Sequence, residues 1–501
     1  MRNDYFVRIH RIMTKLIQQC IIAWKYSMGE MSIMEKSSPS NKHTAKRPSA
    51  RVRTEEMTSV LREEIKAGIR PVGSFLPSLL ELSNHYHLSK NTVRNGLEAL
   101  VNEGLIKNIP RIGAKIISAT HSKMITLRFG YYASLIQEAK IMELLDKFQR
   151  VHPDIQIIPV RLPDNPRDSS AVIQGLLPSL DLLTINLLDY SALSNQEQLL
   201  EPVNTRDDIY PFLNTPFIIG HQQYVQPLLF SPIVLCYNKE HFRNKLLPEP
   251  NSSWTWKDAI NCGRALRDPI NNRYGLSLQV PSDNRWPLFL IQNDFSFDSK
   301  QPILSLSDPE FRKSMTQYCE LIQDESLFPS YFSESDAVEY VFLNQNVSML
   351  VISYMRLNFF LDAPFEYDIS PVPFVHHPKT LTITIGVAIS KYSTNKLAAK
   401  MLVDFLTSYD AQLDIRQQTL SIPAVAAAAE WRGKEKIKNR PSRFSMYREI
   451  IPTFKTHQDL NIDTSTLFSI GTELKYYWAN INDLDTAIER IKQKLSTAMQ
   501  R

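Results

Sequence analysis

Glycine is scarce in this sequence, with 14 residues in 501, few for the Gly-rich turns that cradle phosphates. Neither a Walker A nor a Rossmann fingerprint stands out. Cysteine is scarcer: Cys20, Cys236, Cys262 and Cys319 lie far apart with no C-x-x-C pair. That spacing indicates neither a zinc site nor a disulfide framework, so reduced thiols in a cytoplasmic protein are expected. Long apolar runs are missing too. The stretch 16–24 (LIQQCIIAW) is broken by Gln18 and Gln19 and is far shorter than the ~20 residues that span a bilayer. No small-x-small cleavage site follows it, which argues against a secretory signal. No catalytic set emerges: His376 and His377 are adjacent and precede a proline, a loop composition and not a zinc-ligand spacing. The expectation is a protein that is not an enzyme, with no metal, no cofactor and no membrane segment.

What is present is ordinary for a globular protein, at 43% apolar and 22% charged residues. The length exceeds what one core usually supports, so two or three domains are expected. Charge is partitioned between them. Residues 1–123 carry 20 Lys and Arg against 10 Asp and Glu, net +10, whereas residues 124–501 carry 37 against 42, net −5. A basic front end on a mildly acidic body suits a short nucleic-acid-binding module followed by something else. Residues 1–50 read as a disordered or mis-assigned leader, with Met28, Met31 and Met34 as alternative starts and a polar, basic, proline-containing stretch over 36–49.

From Thr54, a candidate cap, Met57, Val60, Leu61 and Ile65 form one apolar stripe that stops at Gly68. After a segment punctuated by proline and glycine, Ser78 is placed to cap a short helix through Leu82 and Tyr86. Ser89 then caps a third helix. Its Val93, Leu97 and Leu100 recur at core spacing, while Lys90, Asn91, Arg94 and Asn95 share the other face. This is the order of a helix-turn-helix whose second helix reads DNA: Lys and Arg toward phosphate or guanine, Asn91 toward adenine, the Thr92 methyl toward thymine. Residues 105–117 (LIKNIPRIGAKII), two apolar runs around Arg111 and Gly113, read as a β-hairpin wing.

The run IKAGIRPVGSFLPSLLELSNHYHLSKNTVRNGLEALVNEGLI resembles the winged helix of the GntR regulators. The shared marks include Gly68, Gly73, Leu76-Pro77-Ser78, Glu81-Leu82, Ser89, Thr92-Val93-Arg94, Glu103-Gly104-Leu105 and Gly113. The resemblance implies a DNA-binding domain over 51–120, with contacts from Ser78, Ser89, Lys90, Asn91, Thr92, Arg94, Arg111 and Gly113. There are departures. Leu79 and Leu80 stand where the family often has Glu-Arg, and Lys90 replaces the usual Arg, losing the bidentate fork toward guanine.

The remaining chain is too long for the small effector domains of such regulators and leaves two candidates. An aminotransferase-like domain needs an Asn-Pro-x-Gly turn, and the only Asn-Pro, Asn165-Pro166, is followed by Arg167. The other candidate accounts for more residues. Strand-like runs at 125–132, 155–162 and 180–187 alternate with an amphipathic stretch at 135–151, as a parallel α/β sheet requires. The stretches LLDKFQRVHPDIQIIPV, DLLTINLLDYSALSNQEQLLEPV, YVQPLLFSPIVLCYNKEHF and TITIGVAISKYSTNKLAAKMLVDFLTSYDAQLDI resemble extracellular solute-binding proteins of the sugar-binding type.

The fold class expected is therefore an α+β winged helix-turn-helix followed by a two-lobed α/β domain of the periplasmic-binding-protein type II class. The sensor would span 124–501, with lobe 1 over about 124–230 plus 375–430, lobe 2 over about 235–370, and helices over 431–501. Sugar clefts pair flat aromatics with amide, carboxylate and guanidinium groups. At positions matching the family's site loops these are Tyr132, Asp189, Tyr190, Trp286, Tyr354, Arg356 and Thr384. The function implied is a cytoplasmic, homodimeric transcription regulator whose grip on double-stranded operator DNA is controlled by a small effector, a saccharide. The alternatives are a transport-type binding protein without DNA contact and an aminotransferase-fused regulator. The basic run 432–443 reads as a solvated face.

Overall fold

A computed structural model describes residues 50–66, 69–110, 112–117, 124–163, 166–327, 337–434 and 436–499. The chain divides into two compact units, Met1–His121 and Ser122–Arg501.

In the first unit, helices α1 (Ala50–Lys66), α2 (Leu79–Tyr86) and α3 (Lys90–Asn102) precede strands β1 (Ile106–Ile109) and β2 (Gly113–Ile116). The strands pair antiparallel, Ile106 opposite Ile116 and Ile109 opposite Gly113. Met57, Leu61 and Ile65 from α1 meet Leu82, Val93, Leu97, Leu100 and Ile116 in one core. Two expectations for α1 are corrected. The helix already runs at Ala50, so Thr54 is not its cap, and its hydroxyl donates to the Ala50 carbonyl at 2.7 Å. Val60 falls off the stripe and is 39% exposed. Gly68 lies outside the described residues. Gly96 lets α1 and α3 approach closely, since a Cβ there would sit 2.7 Å from the Met57 methyl.

The second unit is built around one mixed sheet. Its first part comprises β3 (Ile125–Tyr131), α4 (Ile141–Val151), β4 (Ile155–Arg161), β5 (Leu182–Asn186) and α5 (Leu187–Ala192). Next come β6 (Gln226–Asn238), α6 (Trp256–Leu266), β7 (Tyr274–Leu278), α7 (Trp286–Gln292) and α8 (Pro309–Ile322). The chain continues through β8 (Val347–Ser353), β9 (Tyr367–Pro371), β10 (Thr380–Ser390), α9 (Lys396–Leu406) and α10 (Tyr409–Gln418), and ends in α11 (Thr464–Trp478) and α12 (Leu484–Met499). The strand order is β7-β8-β6-β10-β5-β3-β4, with β9 also on β6.

β6 joins the two halves of this sheet. Its 13 residues are buried throughout, as the near-continuous apolar run of a doubly covered strand predicts. Its first half pairs with β10, Phe230 opposite Thr384, and its second half with β8, Val234 opposite Ile352. The first half of the sheet is covered by α4 and α9 through Leu144, Phe148, Leu402 and Leu406. Over the second half, Trp286, Phe289, Tyr318, Leu474, Trp478 and Ile488 form a core to which α11 and α12 belong. Among the described residues no helix is long and apolar enough to cross a membrane.

Candidate functional site

In the first unit, α3 has two unlike faces. Val93, Gly96, Leu97 and Leu100 are buried, whereas Lys90, Asn91, Arg94 and Asn95 are exposed. Their side chains make no hydrogen bond or ion pair among the described residues, so their donors remain available. Ser89 caps the helix, its Oγ accepting from the Thr92 amide at 3.1 Å and lying 2.7 Å from the Thr92 hydroxyl. Ser78 caps α2 in a reciprocal box: its Oγ accepts from the Glu81 amide and its own amide donates to the Glu81 carboxylate at 2.7 Å. These bonds hold the Glu81 carboxyl below its ordinary range. Arg62 ties α1 to the end of α3 through a two-pronged bond to Glu103 at 2.8 and 2.7 Å. In the wing, Gly113 has φ +139°, a conformation that disfavours any side chain. Arg111 lies outside the described residues.

In the second unit, Tyr132 follows β3 and Asp189 lies on α5. The structure brings them together: the Tyr132 hydroxyl donates to the Asp189 carboxylate, which also accepts from Asn186 Nδ2 at 2.7 Å. Asn186 caps α5 by accepting from the Asp189 amide at 2.9 Å. Burial first, and then the neighbouring carboxylate, push the Tyr132 phenol well above its ordinary value. Tyr190 is buried, 2% exposed, with its hydroxyl donating to the Phe217 carbonyl at 3.4 Å. Its ring meets Phe217 edge-on at 5.1 Å, and it lines a cavity of about 360 Å³ between α5, residues 215–219 and residues 457–467. Ser191, His457, Gln458, Asp463 and Thr464 supply polar wall, and Leu187, Ile219 and Leu467 apolar wall.

His457 is nearly buried, with its Nε2 2.7 Å from the Asp283 carbonyl oxygen. Desolvation lowers it to about 4, against the opposing hydrogen bond. Gln458 reaches across to Ser191 Oγ at 3.5 Å and the Pro216 carbonyl at 3.4 Å.

Two expected ligand residues are corrected. Trp286 is fully buried in the second-half core, its indole nitrogen donating to Asp283 and its ring 6.1 Å from that of Trp478. Tyr354 is likewise fully buried, its hydroxyl donating to the Phe444 carbonyl and its ring packed on Phe444 and Tyr447. Both satisfy their polar atom inside the protein, which is packing chemistry. Thr384 is 2% exposed within β10. Arg356 donates to Glu339 at 2.8 Å and stacks over Phe359 at 4.2 Å. Arg285, which the sequence did not single out, is buried with its Nε toward the Val351 carbonyl, and desolvation lowers it to about 10.

Comparison with known proteins agrees with this division. The family model for bacterial regulatory proteins of the gntR family matches residues 53–116, and that for bacterial extracellular solute-binding proteins matches residues 132–413. Over 332 residues the chain is 23% identical to YcjN of Escherichia coli strain K12, named as an ABC transporter periplasmic-binding protein, covering 60% of this chain and 74% of that one. Three solved structures share the fold. The substrate-binding protein Lmo0181 of Listeria monocytogenes, in complex with cycloalternan, has a TM-score of 0.64 at 19% identity, over 75% of this chain and 99% of that one. T. maritima MalE3, with maltose bound, has a TM-score of 0.65 at 15% identity, over 75% of this chain and 100% of that one. The maltotriose-binding protein of Thermus thermophilus, with maltotriose bound, has a TM-score of 0.60 at 16% identity, over 75% of this chain and 100% of that one.

Proposed function

Because this chain belongs to the bacterial extracellular solute-binding protein family and carries a gntR-family DNA-binding domain ahead of that fold, we propose that it is a saccharide-responsive transcription regulator. The observation that carries the reading is a helix with an exposed Lys90, Asn91, Arg94, Asn95 face on the same chain as a solute-binding fold. The first supplies phosphate and base-edge donors. The second supplies a cavity of about 360 Å³, within the range of small-ligand sites.

In this reading the effector is a saccharide, the class bound by the three solved proteins of like fold. It lies in this cavity, donates to the Asp463 carboxylate and exchanges hydrogen bonds with Ser191, Gln458 and Thr464, while Tyr132 and Asp189 fix the helix that carries Ser191. The protein works in the cytoplasm, where its DNA is, and as a homodimer on a two-fold operator. The effector alters DNA affinity through its unequal affinity for two conformations.

Operator binding by full-length protein, titrated with and without maltose, maltotriose and cyclic oligosaccharides, tests this. One saccharide should raise the melting temperature and change the operator Kd several-fold, and both effects should weaken in Gln458→Ala, an exposed residue of the cavity wall. A saccharide that stabilises the protein and leaves the Kd unmoved overturns ligand control; absence of any shift overturns the effector class.

A further inference from the structure

Cations on the second unit are concentrated in one place. Residues 432–443 hold six of the unit's 38 Lys and Arg and one of its 42 Asp and Glu. Without this run the unit would carry 32 cations against 41 carboxylates. The loop is anchored at one end. Asn439 donates to the carbonyls of Phe360 and Ala363, both at 3.0 Å, and its own carbonyl accepts from the Tyr367 hydroxyl at 3.0 Å. Arg440 stacks on Phe444 at 3.9 Å, and Arg443 donates to the Pro250 carbonyl at 2.6 Å. Ile437 turns inward against the core.

Ahead of this anchor, Arg432, Lys434, Lys436 and Lys438 are exposed and form no ion pair among the described residues. Four cations at alternate positions, interrupted in sequence by Glu435 alone among acidic residues, stand out on a mildly acidic domain. The anchor at 439–443 fixes where this run leaves the core, so less loop ordering is left for a polyanion to supply.

We propose that this loop grips the phosphates of duplex DNA flanking the operator, so that the solute-binding domain takes part in DNA binding. The inference rests on the DNA-binding role proposed for α3, which brings the polyanion to the chain at high effective concentration. A membrane surface fits less well. Loops and helices that lie on bilayers insert an apolar side chain beside their cations, and here Ile437 is packed inside.

The test compares wild type, the quadruple variant R432A/K434A/K436A/K438A, the charge reversal K436E/K438E and the reader variant K90A/R94A. Each is measured on a duplex trimmed to the operator and on one with native flanks, over a range of salt. Each phosphate neutralised contributes about 0.9 to the slope of log K against log salt. On the flanked duplex the quadruple variant should therefore lose about 2 to 4 from the wild-type slope, and on the trimmed duplex nothing. The reversal should weaken flanked binding further while leaving the circular dichroism spectrum and any saccharide-induced melting shift unchanged.

Equal slopes for wild type and both loop variants on flanked DNA overturn the proposal. So does loop-dependent binding to phosphatidylserine vesicles with no effect on DNA. Wild type that binds neither duplex at low salt overturns both this proposal and the DNA-binding role of α3, whereas normal wild-type binding with loop-independent slopes overturns this one alone.

Discussion

Replacing His457 should change how the solute-binding unit responds to acid. The imidazole is 8% exposed and bonded to the Asp283 carbonyl, and burial lowers it from 6.5 to about 4. Above pH 6.5 the residue is neutral in both folded and unfolded chains, and its stabilisation is fully present. As pH falls below 6.5 the unfolded chain takes up a proton that the folded chain refuses until about pH 4, so stability drains over that window. At ~1.4 kcal/mol per pH unit the loss amounts to about 3 kcal/mol.

His457→Gln keeps a donor for the Asp283 carbonyl and removes the titration. In a Trp24→Phe background, urea unfolding followed by tryptophan fluorescence isolates the relevant transition, because the other five tryptophans, Trp254, Trp256, Trp286, Trp431 and Trp478, all belong to the second unit. Between pH 7.5 and 4.5 wild type should lose about 2 to 3 kcal/mol more than the variant. Parallel acid limbs would refute the reasoning, since they would mean that the imidazole already has access to water in the folded protein.

Tyr354→Phe leaves the buried Phe444 carbonyl without the donor it has now and should cost about 1 to 3 kcal/mol; any saccharide affinity should be unchanged, and a selective loss of affinity at unchanged stability would restore Tyr354 as a ligand contact. Gly113→Ala places a side chain at φ +139° and should destabilise the winged unit by about 1 to 3 kcal/mol, visible as an earlier melting step in calorimetry. Lys90→Ala with Arg94→Ala should lower the salt slope of operator binding by about 2 with no change in melting, because both side chains are exposed and make no bond among the described residues.

Much of the winged helix was legible because its signals are local. Ser78 and Ser89 announce helix starts through bonds to amides three residues on, and Val93, Leu97 and Leu100 announce a buried face through their spacing alone. The sheet strands were legible to within a few residues for the same reason. The candidate ligand site was not. Trp286 and Tyr354 have the right chemistry beside the right strands, but a side chain's direction depends on what packs against it, here Trp478 and Phe444, each far away in sequence. His457, Gln458, Asp463 and Thr464 gave no motif, since they become cavity wall only when the C-terminal segment folds back over the sheet. Glu339 and Arg285 were silent for a related reason: a buried charge reads from sequence like any surface charge until its surroundings are known.

The cavity's construction bears on how an effector could act under the proposed reading. Tyr190 and Ser191 belong to the half of the sheet built on β3, β4 and β5, while His457 hydrogen-bonds to the loop before α7 and Leu467 joins the core of the other half. Hydrogen bonds across the cavity come from Gln458, at 3.5 and 3.4 Å, the weak end of the hydrogen-bond range. Each half is held far more firmly within itself, by Tyr132, Asn186 and Asp189 on one side and by the Trp286 and Trp478 core on the other. A saccharide with hydroxyls on both edges would replace two long bonds with several short ones, and at about 0.5 to 1.5 kcal/mol net for each a gain of two or three reaches the ~1 to 3 kcal/mol that allosteric coupling requires. A ligand that touches one wall alone would bind without that difference between states, so ligands that bridge Ser191 and Asp463 should be the ones that move operator affinity.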